Sequence, residues 1–141
     1  MELIENRGAR YALILRQPAP QVGAPVQFFT PDDATLQVGA FDLPRGHEIQ
    51  PHMHLPFVRH LQSTQEVLVI QSGRLQVDFY DVEKQFVCSR VLEGGDVIVL
   101  LGGGHGFRVL APVRMLEIKQ GPYAGDGDKA RFTATGAPLL S

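Results

Sequence analysis

The chain has 141 residues, of which 44% are hydrophobic and 20% are charged, and its formal net charge is −2. This length and balance are typical of one soluble globular domain with its own core. The charge argues against nucleic acid or an anionic membrane as a partner, because both favour clustered Lys and Arg. No apolar run approaches the ~18 residues that span a bilayer. Glu2 and Glu5 precede the first apolar stretch, which is the wrong charge for a secretory signal, and Cys88 is the only cysteine. We therefore expect a cytoplasmic protein without disulfides.

Short apolar stretches separated by turn residues predict strands along the whole chain. In the strand predicted at 48–54, alternate side chains point to the same side. Gln50, His52 and His54 therefore share one face. The predicted strands of this first half are 11–16, 26–30, 36–43 and 48–54.

The second half begins with the clearest predicted hairpin, in which strands 66–71 and 75–81 are joined by a turn at Ser72 and Gly73. Apolar and polar residues alternate along its return strand, which predicts one buried face and one exposed face. A turn is also expected at Ala111-Pro112. The remaining predicted strands are 86–91, 97–101, 105–109 and 115–119.

The strand predicted at 97–101 is apolar on both faces, which indicates that both of its sides are covered. A single small barrel covers one side, so we expect a homodimer, with strand 11–16 packed across the interface. No segment of a dozen residues has helical periodicity. The sequence therefore predicts an all-β fold, a barrel or sandwich of the jelly-roll type.

We consider four residues on these strands as candidate ligands of one metal ion. His52 and His54 share a face, Glu66 shares its face with apolar neighbours, and His105 follows a run of three glycines. An unpaired carboxylate among apolar residues is unfavourable by several kcal/mol, and a bound cation offsets that cost. Three imidazoles and one carboxylate suit a divalent transition metal, namely Fe, Mn, Ni, Co or Zn.

The spacing of these residues resembles the two motifs of the cupin family. The first family motif reads Gly-x5-His-x-His followed by Glu-x6-Gly, and the second contains Gly-Asp and a later His. Residues 55–65 form an insertion relative to the first motif. The matching positions are Gly46, His52, His54, Glu66 and Gly73 in the first motif, and Gly95, Asp96 and His105 in the second.

This resemblance covers residues 40–120 and implies one cupin domain over 1–141. It implies a jelly-roll barrel core at about 36–120, the N-terminal strand 11–16 and a C-terminal extension, 121–141. It also implies that His52, His54, Glu66 and His105 are the metal ligands. The segment from Glu117 to Phe132 resembles small bacterial cupins associated with sugar-nucleotide and surface-polysaccharide genes.

One fold hosts many functions, so the site must indicate which one applies. A metal held in this way suggests an enzyme that acts on a small oxygen-rich metabolite, such as a sugar derivative. Isomerisation, epimerisation, hydrolysis and dioxygenation all remain open. The alternatives are a module that binds or senses a small ligand without turnover, and a structural metal in an interaction protein.

Inward-pointing groups that can move protons favour an enzyme. Glu117 is one candidate, and His60, inside the insertion, is the other. Gln50 and Lys119 are the candidates for the substrate pocket. Glu117 and Lys119 instead form a solvated pair if Leu116 and Ile118, on the opposite face of the same strand, fill the interior.

Overall fold

The computed structural model describes residues 1–125 and 127–140. All of the regular structure in these residues is β, so the predicted all-β class is confirmed, and no helix capable of crossing a membrane occurs among them. The strands are β1 (Glu2–Asn6), β2 (Ala9–Leu15), β3 (Val26–Phe28), β4 (Gly39–Phe41), β5 (Glu66–Tyr80), β6 (Phe86–Glu93), β7 (Val97–Leu100) and β8 (Gly104–Lys119).

The chain divides into two compact units. The first unit combines Met1–Gln17 with Ser63–Ser141, and the second is Pro18–Gln62. All of the buried apolar residues in the described chain belong to the first unit. The expectation of a single cupin domain over 1–141 stays a prediction.

A curled, antiparallel, six-stranded sheet forms the first unit. Its strand order is β1-β2-β7-β5-β6, and β8 pairs with β5 along nearly its whole length. The first residues of β5 pair with β7, and its last residues pair with β6. The long strand β5 is therefore the centre of the sheet, and its two halves lie in different surroundings.

The predicted hairpin at Ser72 and Gly73 is wrong, because β5 is continuous there. β5 does not turn at Ser72 and Gly73 but continues through β-bulges, and β8 likewise continues through Ala111 and Pro112. Gly73 has a φ of +91°, and a Cβ added there would lie 2.0 Å from the Pro112 carbonyl oxygen. The two backbones approach too closely for any side chain, so these turn-type residues bend both strands without ending them.

The core lies on one face of the curled sheet. Leu68, Ile70, Leu75, Val77 and Phe79 alternate along β5 and are fully buried. The predicted exposed face of 75–81 is wrong, because the polar residues between them are also buried. The other members of this core cluster are Ile4, Tyr11, Ala12, Ile14, Leu92, Ile98 and Leu100.

All four residues of β7 are buried within the single chain. The expected cover on both faces of this strand is therefore present without a second subunit. The strand pairs with β2 on one edge and with β5 on the other, which also satisfies its backbone. The homodimer stays a prediction, but β7 no longer supports it.

The second unit is less regular. Its strands β3 and β4 are three residues long and pair only with each other, so the predicted strands 26–30 and 36–43 are each reduced to a short core. The predicted strand 48–54 is wrong, since residues 42–65 contain no strand. Pro51 and Pro56 cannot donate to a ladder, and such residues are excluded from central strands.

Candidate functional site

Glu66 and His105 meet in the first unit. The Glu66 Oε2 atom lies 3.3 Å from the His105 Nε2 atom, and their side chains are 9% and 30% exposed. His105 pairs with Phe79, at the opposite end of β5 from Glu66. A straight strand would keep these positions roughly 40 Å apart. The bend around Gly73 therefore brings together two residues that the strand itself separates.

The surroundings of His105 favour its neutral form. Burial lowers the pKa of this imidazole, and the charge of Lys129 lowers it further, whereas Glu66 and Glu117 act in the opposite direction. The net effect is a pKa below the ordinary value of 6.5. A neutral imidazole keeps a ring lone pair, which is the form that accepts a proton or binds a metal. A proton or a cation between the facing oxygen and nitrogen atoms would satisfy both.

Strand β8 directs further polar side chains to the same face. Lys119 is paired with Glu66 in the ladder and Glu117 with Leu68, and residues directly opposite each other share a face of the sheet. Leu116 and Ile118 point to the other side and are 53% and 51% exposed. The alternative in which these two apolar residues fill the interior is therefore wrong.

Glu117 and Lys119 border the Glu66–His105 pair but remain accessible. Glu117 is exposed and Lys119 is partly buried. The Lys119 ammonium lies 5.8 Å from the centre of the Tyr123 ring, a distance at which cation–π attraction operates. A cation and a carboxylate therefore lie on the same face of the sheet as the pair.

His52 and His54 lie in the second unit, and both are exposed. Their ring centres are 5.4 Å apart, although they are not on a strand. His52 Nδ1 donates a hydrogen bond to the Gln50 carbonyl oxygen over 2.9 Å. The proton on Nδ1 leaves Nε2 with a lone pair, as in many metal-binding histidines. Gln50 thus contacts His52 through its backbone.

The structure brings together Glu66 and His105, and separately His52 and His54. Within residues 1–125 and 127–140, no group of three or more His, Cys, Asp or Glu side chains has the geometry to hold a metal ion. The full four-residue ligand set implied by the cupin resemblance stays a prediction.

His60 lines an open cleft in the second unit. The cleft has a volume of about 830 Å³, and residues 32–37 and 57–60 form its walls. In the same wall, the Arg59 guanidinium lies 5.2 Å from the centre of the Phe57 ring. The sequence places His60 in the insertion but does not reveal its association with residues 32–37, because no periodicity connects these two segments.

A second polar cluster, which the sequence pattern does not predict, lies on β5. Gln76 and Asp78, on the face of β5 away from the core, are fully buried together with Tyr80. Arg108 Nε donates to the Asp78 carboxylate over 3.0 Å. Their alternation with apolar residues is the usual pattern of a strand with one exposed face, and the sequence contains no local sign of what covers them.

Comparison of the chain with protein-family models, with curated proteins and with solved structures finds no significant match.

Proposed function

We propose that the chain is a metal-binding cupin with a jelly-roll barrel, in which His52, His54, Glu66 and His105 hold a divalent transition metal. The main support is the buried Glu66 carboxylate, 3.3 Å from the His105 imidazole nitrogen. These residues occupy the positions of the carboxylate in the first cupin motif and of the histidine in the second.

The donor chemistry fits such an ion. Carboxylate oxygens and imidazole nitrogens bind Fe, Mn, Ni, Co and Zn. Glu66 is buried, and a buried carboxylate gains most from a cation. The lowered pKa of His105 and the backbone hydrogen bond of His52 both leave imidazole lone pairs for coordination. When bound, the metal would polarise a ligand oxygen or lower the pKa of a bound water.

The residues beside the pair support an enzyme. Glu117 shares the face of Glu66 and provides a carboxylate that can accept a proton from a substrate carbon or hydroxyl. Lys119 provides a cation for an anionic oxygen. We therefore favour proton transfer on a small oxygen-rich metabolite, such as a sugar derivative, and thus an isomerase or epimerase. Dioxygenation at the same metal is the second enzymatic possibility.

One observation favours a non-catalytic module that binds or senses a small ligand. Glu117 is exposed, whereas general bases usually act in sites from which water is excluded.

We also propose that the protein binds a small molecule, has no nucleic-acid or membrane partner, is located in the cytoplasm and forms a homodimer. The apolar residues Leu116 and Ile118, exposed on the outer face of β8, offer a second copy a surface on which to pack.

Metal content tests this function directly. We expect protein purified under anaerobic conditions to contain close to one transition metal ion per chain by elemental analysis. The double substitution His52→Ala with His54→Ala should remove most of that metal, because it deletes half of the proposed ligands. His47→Ala is the matched control, since His47 is an exposed histidine outside the proposed set. Full retention of metal in the double variant would contradict the ligand assignment.

A further inference from the structure

The C-terminal segment covers the buried polar cluster of β5. Gln76 and Asp78 point away from the core and are nevertheless buried. The Gln76 side chain contacts Pro138 and Leu140 of this segment, whereas Asp78 contacts Ser89 on β6 and Arg108 on β8. Buried polar groups require such partners, so these contacts are part of the folded state.

The contacts recognise the backbone of the segment. Gln76 Nε2 donates to the Pro138 carbonyl oxygen over 2.7 Å, and Gln76 Oε1 accepts from the Leu140 N–H over 2.7 Å. Arg108 Nη2 donates to the Ala137 carbonyl oxygen over 2.9 Å. We call these three hydrogen bonds the latch. Because the latch uses both ends of one amide side chain, it holds an extended peptide at two points.

Asp78 holds the two residues of the latch in position. Its carboxylate accepts from Gln76 Nε2 over 2.6 Å and from Arg108 Nε over 3.0 Å. The Ser89 hydroxyl donates to the same carboxylate. This network orients Gln76 and Arg108 through partners on the sheet, so the latch residues are ordered independently of the segment that they bind.

The rest of the segment lies at the surface and joins no strand ladder. Residues 128–140 form no strand, and Leu139 is 70% exposed. The Phe132 ring packs edge-on against Tyr80, with ring centres 5.3 Å apart. A segment with few buried apolar contacts and no ladder opens more easily than the sheet beneath it.

The same segment passes the Glu66–His105 pair. Thr64, two residues before Glu66, donates its hydroxyl to the Asp128 carboxylate over 3.4 Å. Further along, a Cβ added to Gly104 would lie 3.1 Å from the Phe132 ring, so this ring packs on the outer face of the sheet, opposite the side to which the His105 side chain points. Residues 128–132 therefore run from the neighbourhood of Glu66 to the outer face, where the latch lies. The influence of the Lys129 charge on His105 agrees with this path.

We propose that residues 128–140 form a C-terminal strap beside the Glu66–His105 site, and that the latch on Gln76 and Arg108 must open before a small anionic or hydroxylated ligand can enter or leave. The regulatory meaning of the strap rests on the proposed function, because that function supplies the ligand. The latch itself is independent of it.

The first test measures the latch. Leu140→Pro removes the backbone N–H that donates a hydrogen bond to Gln76 Oε1, whereas the matched control Leu140→Ala keeps this N–H. We expect hydrogen exchange in the remaining amides of 128–140 to accelerate about fivefold in Leu140→Pro relative to Leu140→Ala, as the loss of one hydrogen bond predicts. Amides of β7 should exchange at the same rate in both variants. Equal exchange of the segment in both variants would overturn the latch.

The second test measures access to the site. Diethyl pyrocarbonate modifies neutral imidazoles, and mass spectrometry resolves His105 from His47, the exposed internal reference. In chelator-treated protein we expect the modification rate of His105, divided by that of His47, to be about two- to fivefold higher in Leu140→Pro than in Leu140→Ala. The upper limit is the about fivefold increase in the fraction of molecules whose strap is open. An unchanged ratio, with the segment shown to be released, would overturn the strap.

A third measurement separates the two proposals. Zinc is added to both variants, and its removal by a chelator is followed over time. Faster removal from Leu140→Pro than from Leu140→Ala supports the strap and the metal site together. If neither variant binds zinc while the His105 ratio still rises, the metal function fails and the strap stands. If zinc binds and both its removal rate and the His105 ratio are the same in the two variants, the strap is wrong.

Discussion

The two units use apolar residues in opposite ways. In the first unit most apolar residues of β2, β5 and β7 are buried, and these strands pair with one another in the sheet. In the second unit Thr30 is the one buried residue, and large apolar side chains are exposed along 49–61. Apolar content alone therefore does not produce a core. A strand also needs a ladder partner on at least one edge and a second layer to cover its face.

Proline explains much of the difference. Seven of the ten prolines of the chain lie in residues 18–62. Each proline removes a backbone donor and restricts the residue before it, so long ladders cannot form there. In the first unit, by contrast, Pro112 lies at the bulged middle of β8, where the register already shifts.

The largest expected effect compares one aromatic residue from each unit. Phe79 is fully buried, whereas Phe57 is 73% exposed. We expect Phe79→Ala to lower the free energy of unfolding by about 3 to 5 kcal/mol, because it leaves a cavity in the core. Phe57→Ala should change it by less than about 0.5 kcal/mol. Urea denaturation of both variants measures this contrast, and similar losses would show that the second unit has a core of its own.

Alanine substitutions at two glycines distinguish the cost of a steric clash from the cost of a left-handed backbone conformation. Gly73 and Gly46 have φ values of +91° and +85°. A Cβ at Gly73 would collide with the Pro112 backbone, whereas a Cβ at Gly46 would meet nothing within 4 Å. We expect Gly46→Ala to lower the free energy of unfolding by about 1 to 2 kcal/mol, the cost of the left-handed backbone alone. Gly73→Ala should cost at least about 2 kcal/mol more, because β5 and β8 must separate. Equal losses in denaturation experiments would argue against the close crossing of these strands.

The sequence was informative where local pattern and long-range pairing agree. The strands β2, β6 and β7 were predicted near their observed bounds because their apolar residues have strand periodicity and their neighbours supply ladders. The hairpin at Gly73 was wrong, because a glycine that permits a bulge cannot be distinguished locally from one that permits a turn. The strand at 48–54 was wrong because alternation does not reveal whether a ladder partner exists.

The candidate site was predictable only in part. The motif spacing selected Glu66 and His105, and these two residues contact each other, since both lie on the inward face of β5 and β8. The burial of Gln76 could not be predicted, because the residues that cover it come about sixty positions later in the chain. The association of His52 and His54 with the pair stays a prediction.

The pH dependence of stability gives a smaller effect. The pKa of His105 is lowered from 6.5 in the folded chain, mainly by burial. The unfolded chain therefore binds this proton at pH values where the folded chain does not. We expect the free energy of unfolding of chelator-treated protein to decrease as the pH drops below 6.5. The decrease should end once the pH is below the lowered pKa of His105.

The matched variants identify the group responsible. His105→Gln should reduce this slope, and His47→Gln, at an exposed position, should leave it unchanged. Thermal denaturation between pH 5 and pH 8 measures both slopes. If His105→Gln keeps the full slope, another group causes the pH dependence.

The proposed function depends above all on Glu66 as a metal ligand, and the melting temperatures of wild type and Glu66→Gln with and without chelator test this role. We expect chelator to lower the melting temperature of the wild type and to have little effect on Glu66→Gln. In chelator, the melting temperature of Glu66→Gln should equal or exceed that of the wild type, because a buried charge beside a neutral imidazole has been removed. A lower melting temperature of Glu66→Gln in chelator, with an unchanged response to metal, would show that Glu66 stabilises the fold through a salt bridge and is not a metal ligand.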